Sequence, residues 1–262
     1  MTITNIGGST AYNVLSEVFS SSSDIEFKNI TFSYDGENPV LKNISFKVNS
    51  GDFIGLAGHT GSGKTTIMTL LQRFYDLQEG QIIIDGVDFM EYTKQEVRSN
   101  IGYVIQEPAI FSGTIKSNIT MNEEFTDEEV ENVLMMIGAE KFVNGFTKGI
   151  YTELDHLGSN LSTGEKQLLS FARILLRDPK IIILDEATAN IDTQTESIIQ
   201  KALAVLAKGR TTFVVAHRLS TIQHANQIYV LNAGEIAEHG THEELYNANG
   251  YYRSMYDAQF KK

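Results

Sequence analysis

The sequence predicts an α/β fold, and three observations carry that prediction. An apolar run, Phe53-Ile54-Gly55-Leu56-Ala57, leads through a glycine-rich turn into residues with helical spacing, Lys64-Thr65-Thr66-Ile67-Met68-Thr69-Leu70-Leu71. A second run, Ile181-Ile182-Ile183-Leu184, is continuous and largely β-branched, as in a parallel strand buried on both faces. It ends in Asp185-Glu186, where open α/β sheets place their ligand chemistry. From residue 180 onward strand and helix patterns alternate, which marks a mixed or parallel sheet covered by helices.

At the N-terminus, residues 1–23 differ in character from the chain beyond them. Gly7, Gly8, Ser9 and Ser20-Ser21-Ser22-Ser23 flank a short candidate helix over 11–19. The stretch reads either as a linker from something upstream or as a frayed terminus. Ile25 and Phe27 then alternate, and Ile30, Phe32 and Tyr34 continue with the phase shifted, which predicts a bulge near Asn29. Asp35-Gly36 is a turn signal, and 41–48 reads as a second strand of the same N-terminal antiparallel β-subdomain. After the helix that begins at Lys64 come a strand over 81–85 and a capping box, Thr93-x-x-Glu96. A strand over 101–105 ends at Gln106-Glu107-Pro108.

Residues from about 108 to 178 lose strand character and read as an inserted α-helical subdomain. Thr126-x-x-Glu129 caps a helix through Ile137, and Ser162-x-x-Glu165 stands before a longer one over 167–177. The core alternation then resumes with a strand over 180–185, a helix over 195–206 and strands over 211–216 and 227–231. Thr241-x-x-Glu244 caps a closing helix. No internal repeat is visible.

Composition bounds the function. At 262 residues the chain is one large domain or one domain with a subdomain. Its content, 42% hydrophobic and 21% charged, is that of a globular protein with a buried core. The absence of cysteine excludes a disulfide framework and any thiolate zinc site. A formal charge of −12 argues against a nucleic-acid partner, which demands a basic face. No apolar run approaches the roughly 18–20 residues of a membrane span, and no signal peptide is visible, so the chain is not expected to cross a bilayer alone.

Residues 58–66, GHTGSGKTT, match the phosphate-binding pattern G-x-x-x-x-G-K-[ST] in the strand–turn–helix context it requires. Gly58, Gly61 and Gly63 let the backbone aim several N–H groups at one anion, and the helix N-terminus adds its partial positive charge. Lys64 would reach the β- and γ-phosphates and the Thr65 hydroxyl would ligate Mg²⁺, with Ser62 and Thr66 completing a loop around ATP. The fold is thus a P-loop NTPase core. Asp185 is suited to hold Mg²⁺, directly or through water, opposite Thr65. Glu186 could polarise an attacking water as general base. Gln106, at another strand end, could contact Mg²⁺ or that water.

Leu161-Ser162-Thr163-Gly164-Glu165-Lys166-Gln167 is similar to the signature of ABC-transporter ATPase domains, usually written LSGGQ. With GHTGSGKTT, YVIQEPAIF, IIILDEAT, Ala189-Asn190-Ile191-Asp192 and Val215-Ala216-His217-Arg218, the family's motifs stand in the family's order. The resemblance covers residues 24 to about 260 and makes 24–262 one ABC ATPase domain. It implies a head-to-tail dimer with a second ABC ATPase domain and two ATP molecules at the interface. Each site takes the P-loop of one chain and the signature of the other.

Residue by residue, the resemblance matches Tyr34 to the aromatic that stacks on adenine, and Lys64, Thr65, Gln106, Asp185 and Glu186 to the phosphate, metal and catalytic positions. His217 matches the switch histidine that senses the γ-phosphate, and Asp192 the loop that links the two sites. Ser162 and Gly164 belong to the signature that faces the partner's nucleotide; Ser162 is also the N-cap of its own helix. His239 and His242 lack such support and read as surface or capping residues.

Two departures stand out. Thr163 occupies a usual glycine position, and Asp155-His156-Leu157 replaces a usual Gly-Glu-Arg-like segment. An altered signature beside an intact P-loop and Glu186 resembles one half of an asymmetric heterodimer; a homodimer that tolerates Thr163 is the alternative. Pro108-Ala109-Ile110-Phe111 through Ile119, His217-Arg218-Leu219-Ser220 and Gly240-Thr241-His242-Glu243 resemble exporter domains, whose ATPase follows a transmembrane domain and lies on the cytoplasmic face of the membrane. A stand-alone importer ATPase is the alternative. A soluble ABC ATPase of DNA repair or ribosomes would carry tandem domains or coiled-coil insertions, and neither is here.

Overall fold

The computed structural model describes residues 23–105, 107–185, 193–216 and 218–260. It divides into two compact units. The first takes the chain up to Gly102, Pro179–Ile181 and the chain from Gly209; the second takes Tyr103–Asp178 and Ile182–Lys208.

In the first unit β1 (Ile25–Phe32) and β2 (Leu41–Val48) pair antiparallel. Ile25 faces Val48, Phe27 faces Phe46, Ile30 faces Ile44 and Phe32 faces Leu41, and all of these side chains are buried. The register shifts between Phe27 and Ile30, where Asn29 takes φ 49° and its amide donates to Ser45 Oγ at 2.8 Å. This is the predicted bulge. It returns Ile30 and Phe32 to the core face, where each apolar side chain contributes about 2 kcal/mol. β3 (Phe53–Ala57) is buried from Ile54 on and leads into α1 (Lys64–Leu71). β4 (Glu79–Ile84) pairs with the other edge of β1, and β5 (Val87–Asp88) extends it to the order β2-β1-β4-β5. The predicted capping box opens α2 (Lys94–Ser99): Glu96 N donates to Thr93 Oγ1 at 3.1 Å, and Thr93 N donates to Glu96 Oε2 at 2.6 Å.

β6 (Ile101–Val104) leads into the second unit, which continues through β7 (Gly113–Thr114), α3 (Ile115–Thr120), α4 (Asp127–Met136), α5 (Glu140–Asn144) and β8 (Glu153–Leu154). α6 (Thr163–Arg177), β9 (Ile181–Asp185) and α7 (Thr193–Ala207) complete it. β7 and β8 form a two-residue antiparallel ladder in a stretch expected to lack strands. A pair that short carries no alternation to read. α6 begins at Thr163 rather than at residue 167, because its Ser162 cap sets the first turn. Its buried face holds Leu168, Leu169, Phe171, Ala172 and Leu175, and Arg173 ties it down by donating to the Asn118 carbonyl at 3.0 Å and the Ala109 carbonyl at 3.1 Å.

The first unit resumes with β10 (Thr211–Val215), β11 (Gln227–Asn232), β12 (Glu235–Gly240), α8 (His242–Asn247) and α9 (Tyr251–Phe260). Its strands run in the order β12-β11-β3-β10. β3 is parallel to both its neighbours, and β12 is antiparallel to β11. β12 escapes sequence reading because Ile236 is the one large apolar side chain in it. His242 is not a simple surface residue: its Nδ1 lies 2.7 Å from the hydroxyl of fully buried Tyr252, within an aromatic cluster that includes Tyr246 and Tyr256. Ser23, the last residue of the expected linker, is buried and its carbonyl accepts from Thr211 Oγ1 at 2.8 Å. The rest of that linker lies outside the described residues. Among the described residues no helix is long and apolar enough to cross a membrane.

Candidate functional site

The turn from β3 to α1 carries the first group of predicted residues. Gly58 has φ 146°, and a β-carbon there would sit 2.4 Å from the Leu231 carbonyl oxygen. Gly63 has φ 106°, with Leu41 Cδ2 only 2.6 Å from where a β-carbon would be. Both positions admit glycine alone. Gly63 is also the N-cap of α1, so no side chain caps this helix, and its first turn holds no acid. Helices α2, α4, α6 and α8 instead start with complete capping boxes on Thr93, Thr126, Ser162 and Thr241. The first amides of α1 therefore point out of the helix at its positive end with no side-chain cap, which is an anion cradle.

Lys64 is buried, and its Nζ donates to the carbonyls of Gly58 at 2.8 Å and His59 at 3.0 Å. A buried ammonium requires such partners, and here they hold the charge inside the turn. Ser62 is buried as well, and its Oγ has no hydrogen-bond partner. An orphaned buried hydroxyl costs about 1–3 kcal/mol and marks a site shaped for a polar group. Gly61 and Thr65 are exposed at the turn, while Thr66 is buried.

Tyr34 stands beside this turn, with its hydroxyl donating to Thr66 Oγ1 at 3.1 Å. The residue is 52% exposed, and its ring is braced edge-on by Phe32 and Tyr75, each with its centroid 5.1 Å away. An exposed aromatic surface is thereby fixed to the phosphate-loop helix. Tyr75 is part of this arrangement and was not singled out by the sequence, because a single aromatic after a helix has no periodic signal.

In the second unit Asp185 ends β9 after four buried residues, and its Oδ2 accepts from the Tyr103 hydroxyl at 2.9 Å. Burial, and then the Asp185 charge, push the Tyr103 phenol far above its ordinary range, so it stays a neutral donor. Sequence reading quoted Tyr103 in YVIQEPAIF but gave it no role; the signal was a lone hydroxyl in the otherwise apolar strand Ile-Gly-Tyr-Val. Ser162 and Glu165 form the expected reciprocal cap: Ser162 N donates to Glu165 Oε2 at 2.8 Å and Glu165 N donates to Ser162 Oγ at 3.3 Å. Thr163 is exposed in the first position of α6, and Gly164 is buried. Just upstream, Leu157 holds φ 61° while 62% exposed, an outlier for a bulky residue.

The structure thus brings Tyr34, Lys64, Thr66 and the loop glycines together in one unit, and carries Asp185, Ser162 and Gly164 in the other. Gln106, Glu186, Asp192 and His217 lie outside the described residues. Among the described residues no group of three or more His, Asp or Glu side chains could hold a metal by itself. The Asp185 carboxylate at the end of β9 is a hard oxygen donor of the kind Mg²⁺ takes one or two of from protein.

Comparison with known proteins gives a consistent picture. The ABC transporter family matches residues 41–189. The chain is 52% identical over 236 residues to the "Probable multidrug resistance ABC transporter ATP-binding/permease protein YheH" of Bacillus subtilis, covering 90% of this chain and 35% of that protein. It is 44% identical over 240 residues to the "ATP-dependent lipid A-core flippase" of Salmonella typhimurium, covering 90% of this chain and 41% of the flippase. Among solved structures, a bacterial Atm1-family ABC exporter with ATP bound superposes with a TM-score of 0.85 at 37% identity, over 92% of this chain and 42% of the exporter. The chain therefore spans well under half the length of these relatives.

Proposed function

The chain belongs to the ABC transporter family, and from that premise we propose that it is the ATP-binding and ATP-hydrolysing domain of an exporter, working at the cytoplasmic face of a membrane beside a transmembrane domain. The observation that carries the ATP reading is the β3–α1 turn: an uncapped helix N-terminus, a lysine buried against loop carbonyls and an unpartnered serine hydroxyl in one cradle. The exporter reading is supported by relatives of which this chain matches one part, the ATP-binding part by their names.

In this reading the amides of α1 and Lys64 bind the β- and γ-phosphates, and Tyr34 offers its ring to adenine. Thr65 and Asp185 are the residues that would hold Mg²⁺, and the ion would supply charge neutralisation at the phosphate oxygens. Glu186 accepts a proton from the attacking water as oxygen bonds in line to the γ-phosphorus and the bond to the β–γ bridging oxygen breaks. Gln106 orients that water, and His217 holds the γ-phosphate. Ser162 and Gly164 serve the nucleotide of a second ABC ATPase domain, and Asp192 couples the two sites. ATP closes the dimer and hydrolysis reopens it, which turns binding energy into movement of membrane helices. Thr163 in place of glycine favours a partner of different sequence over a second copy of this chain.

Phosphate release from MgATP by this chain, lost in Lys64→Ala, tests the proposal; equal release by the variant contradicts it.

A further inference from the structure

We propose that Tyr103 is a positioning residue that sets the metal-binding oxygen of Asp185. The inference rests on the reading of Asp185 as a Mg²⁺ ligand and extends it to Tyr103, which opens the YVIQEPAIF stretch but matches none of the phosphate, metal or catalytic positions. β6 and β9 lie side by side, and Tyr103 is the one polar side chain of β6. Its hydroxyl reaches across to Asp185 Oδ2 at 2.9 Å.

An aspartate that closes a strand turns freely about two side-chain torsions unless a neighbour holds it. A donor on Oδ2 fixes the carboxylate plane and engages one oxygen, which leaves Oδ1 as the directed ligand. Partners of this kind behind a metal ligand govern affinity as well as geometry, and their loss typically weakens metal binding by roughly tenfold or more. Mg²⁺ is sensitive to this because it demands near-octahedral placement of its few protein oxygens. If the hydroxyl were only satisfying itself on the nearest acceptor, its removal would leave metal affinity alone.

The test measures how much Mg²⁺ tightens nucleotide. A fluorescent, non-hydrolysable ATP analogue is titrated into the 262-residue chain in EDTA and again in Mg²⁺, for wild type, Tyr103→Phe, Asp185→Asn and the double variant. Tyr103→Phe is expected to keep the EDTA affinity and to lower the tightening by Mg²⁺ by roughly tenfold or more. Asp185→Asn should lower it at least as far, and adding Tyr103→Phe to it should change nothing more. Unchanged tightening in Tyr103→Phe, with loss in Asp185→Asn, overturns the positioning role and leaves the Asp185 reading intact. Unchanged tightening in both overturns the metal role of Asp185 and the positioning role with it. A fall in EDTA affinity in Tyr103→Phe points to a general structural role and also contradicts the proposal.

Discussion

Tyr34 donates its hydroxyl to Thr66 Oγ1 at 3.1 Å, which pins an exposed aromatic ring to the second residue past the phosphate-loop lysine. Ring and loop are thus one rigid piece within the first unit, although 32 residues separate them in the chain.

Two substitutions at Tyr34 should therefore differ. Tyr34→Ala removes the stacking surface, worth about 1–3 kcal/mol per base in comparable stacks, and should weaken ATP roughly tenfold or more. Tyr34→Phe keeps the ring and gives up one part-exposed hydrogen bond, so affinity should fall by no more than a few-fold. Fluorescence titration with ATP checks both. Equal loss in the two variants would assign the effect to the hydroxyl instead of the ring.

Lys64→Ala should reduce ATP affinity by about ten- to a hundredfold, the span of a charge-assisted hydrogen bond of roughly 1.5–3 kcal/mol. It also leaves the Gly58 and His59 carbonyls without their present donor. Isothermal calorimetry with ATP reads the change, and an unaltered dissociation constant would contradict the cradle.

Ser162 joins a local and an intermolecular role, and two variants separate them. Ser162→Ala removes the cap and should cost about 1 kcal/mol in denaturant unfolding, together with turnover. Ser162→Asn restores an equally good cap, so stability should return while turnover stays low. Recovery of both in Ser162→Asn would confine Ser162 to capping.

Acid should loosen the fold through its local carboxylates. The Asn38 side chain, then the Asn38 and Glu37 amides, hold the Asp35 carboxyl down at about 2 from its ordinary 3.8. The threonine amides of three capping boxes, and then the threonine hydroxyls, lower Glu96, Glu129 and Glu244 as well. A lowered carboxyl stabilises the fold fully above its unfolded value and loses that contribution as pH falls through its folded value. For Asp35 the window runs from 3.8 down to about 2. Melting temperature should therefore fall across that window, and less steeply in Asp35→Asn, whose side chain does not titrate. Parallel curves would contradict the assignment.

Glu186→Gln with MgATP should move the chain to a dimer on size-exclusion chromatography if a second copy suffices. A monomer that still binds ATP points instead to a partner whose signature lacks the Thr163 departure.

Much of the site was legible because its chemistry is local. The turn from Gly58 to Thr66, the strand ending at Asp185 and the boxes at Thr93, Thr126, Ser162 and Thr241 each declare themselves within a few residues. The bulge at Asn29 was legible from a phase shift in β1 alone. Tyr103 and Tyr75 were not, since their roles depend on partners 82 and 41 positions away that no spacing reveals. β12 was missed because Glu235, Ala237 and His239 expose one face and little apolar area marks the other. His242 was misread because its partner Tyr252 sits on a different helix.

The most direct measurement is phosphate release and ATP binding by Glu186→Gln beside wild type. If Glu186 is the general base, the variant binds ATP at wild-type affinity and turnover is nearly abolished. Turnover at the wild-type rate in Glu186→Gln would contradict that role.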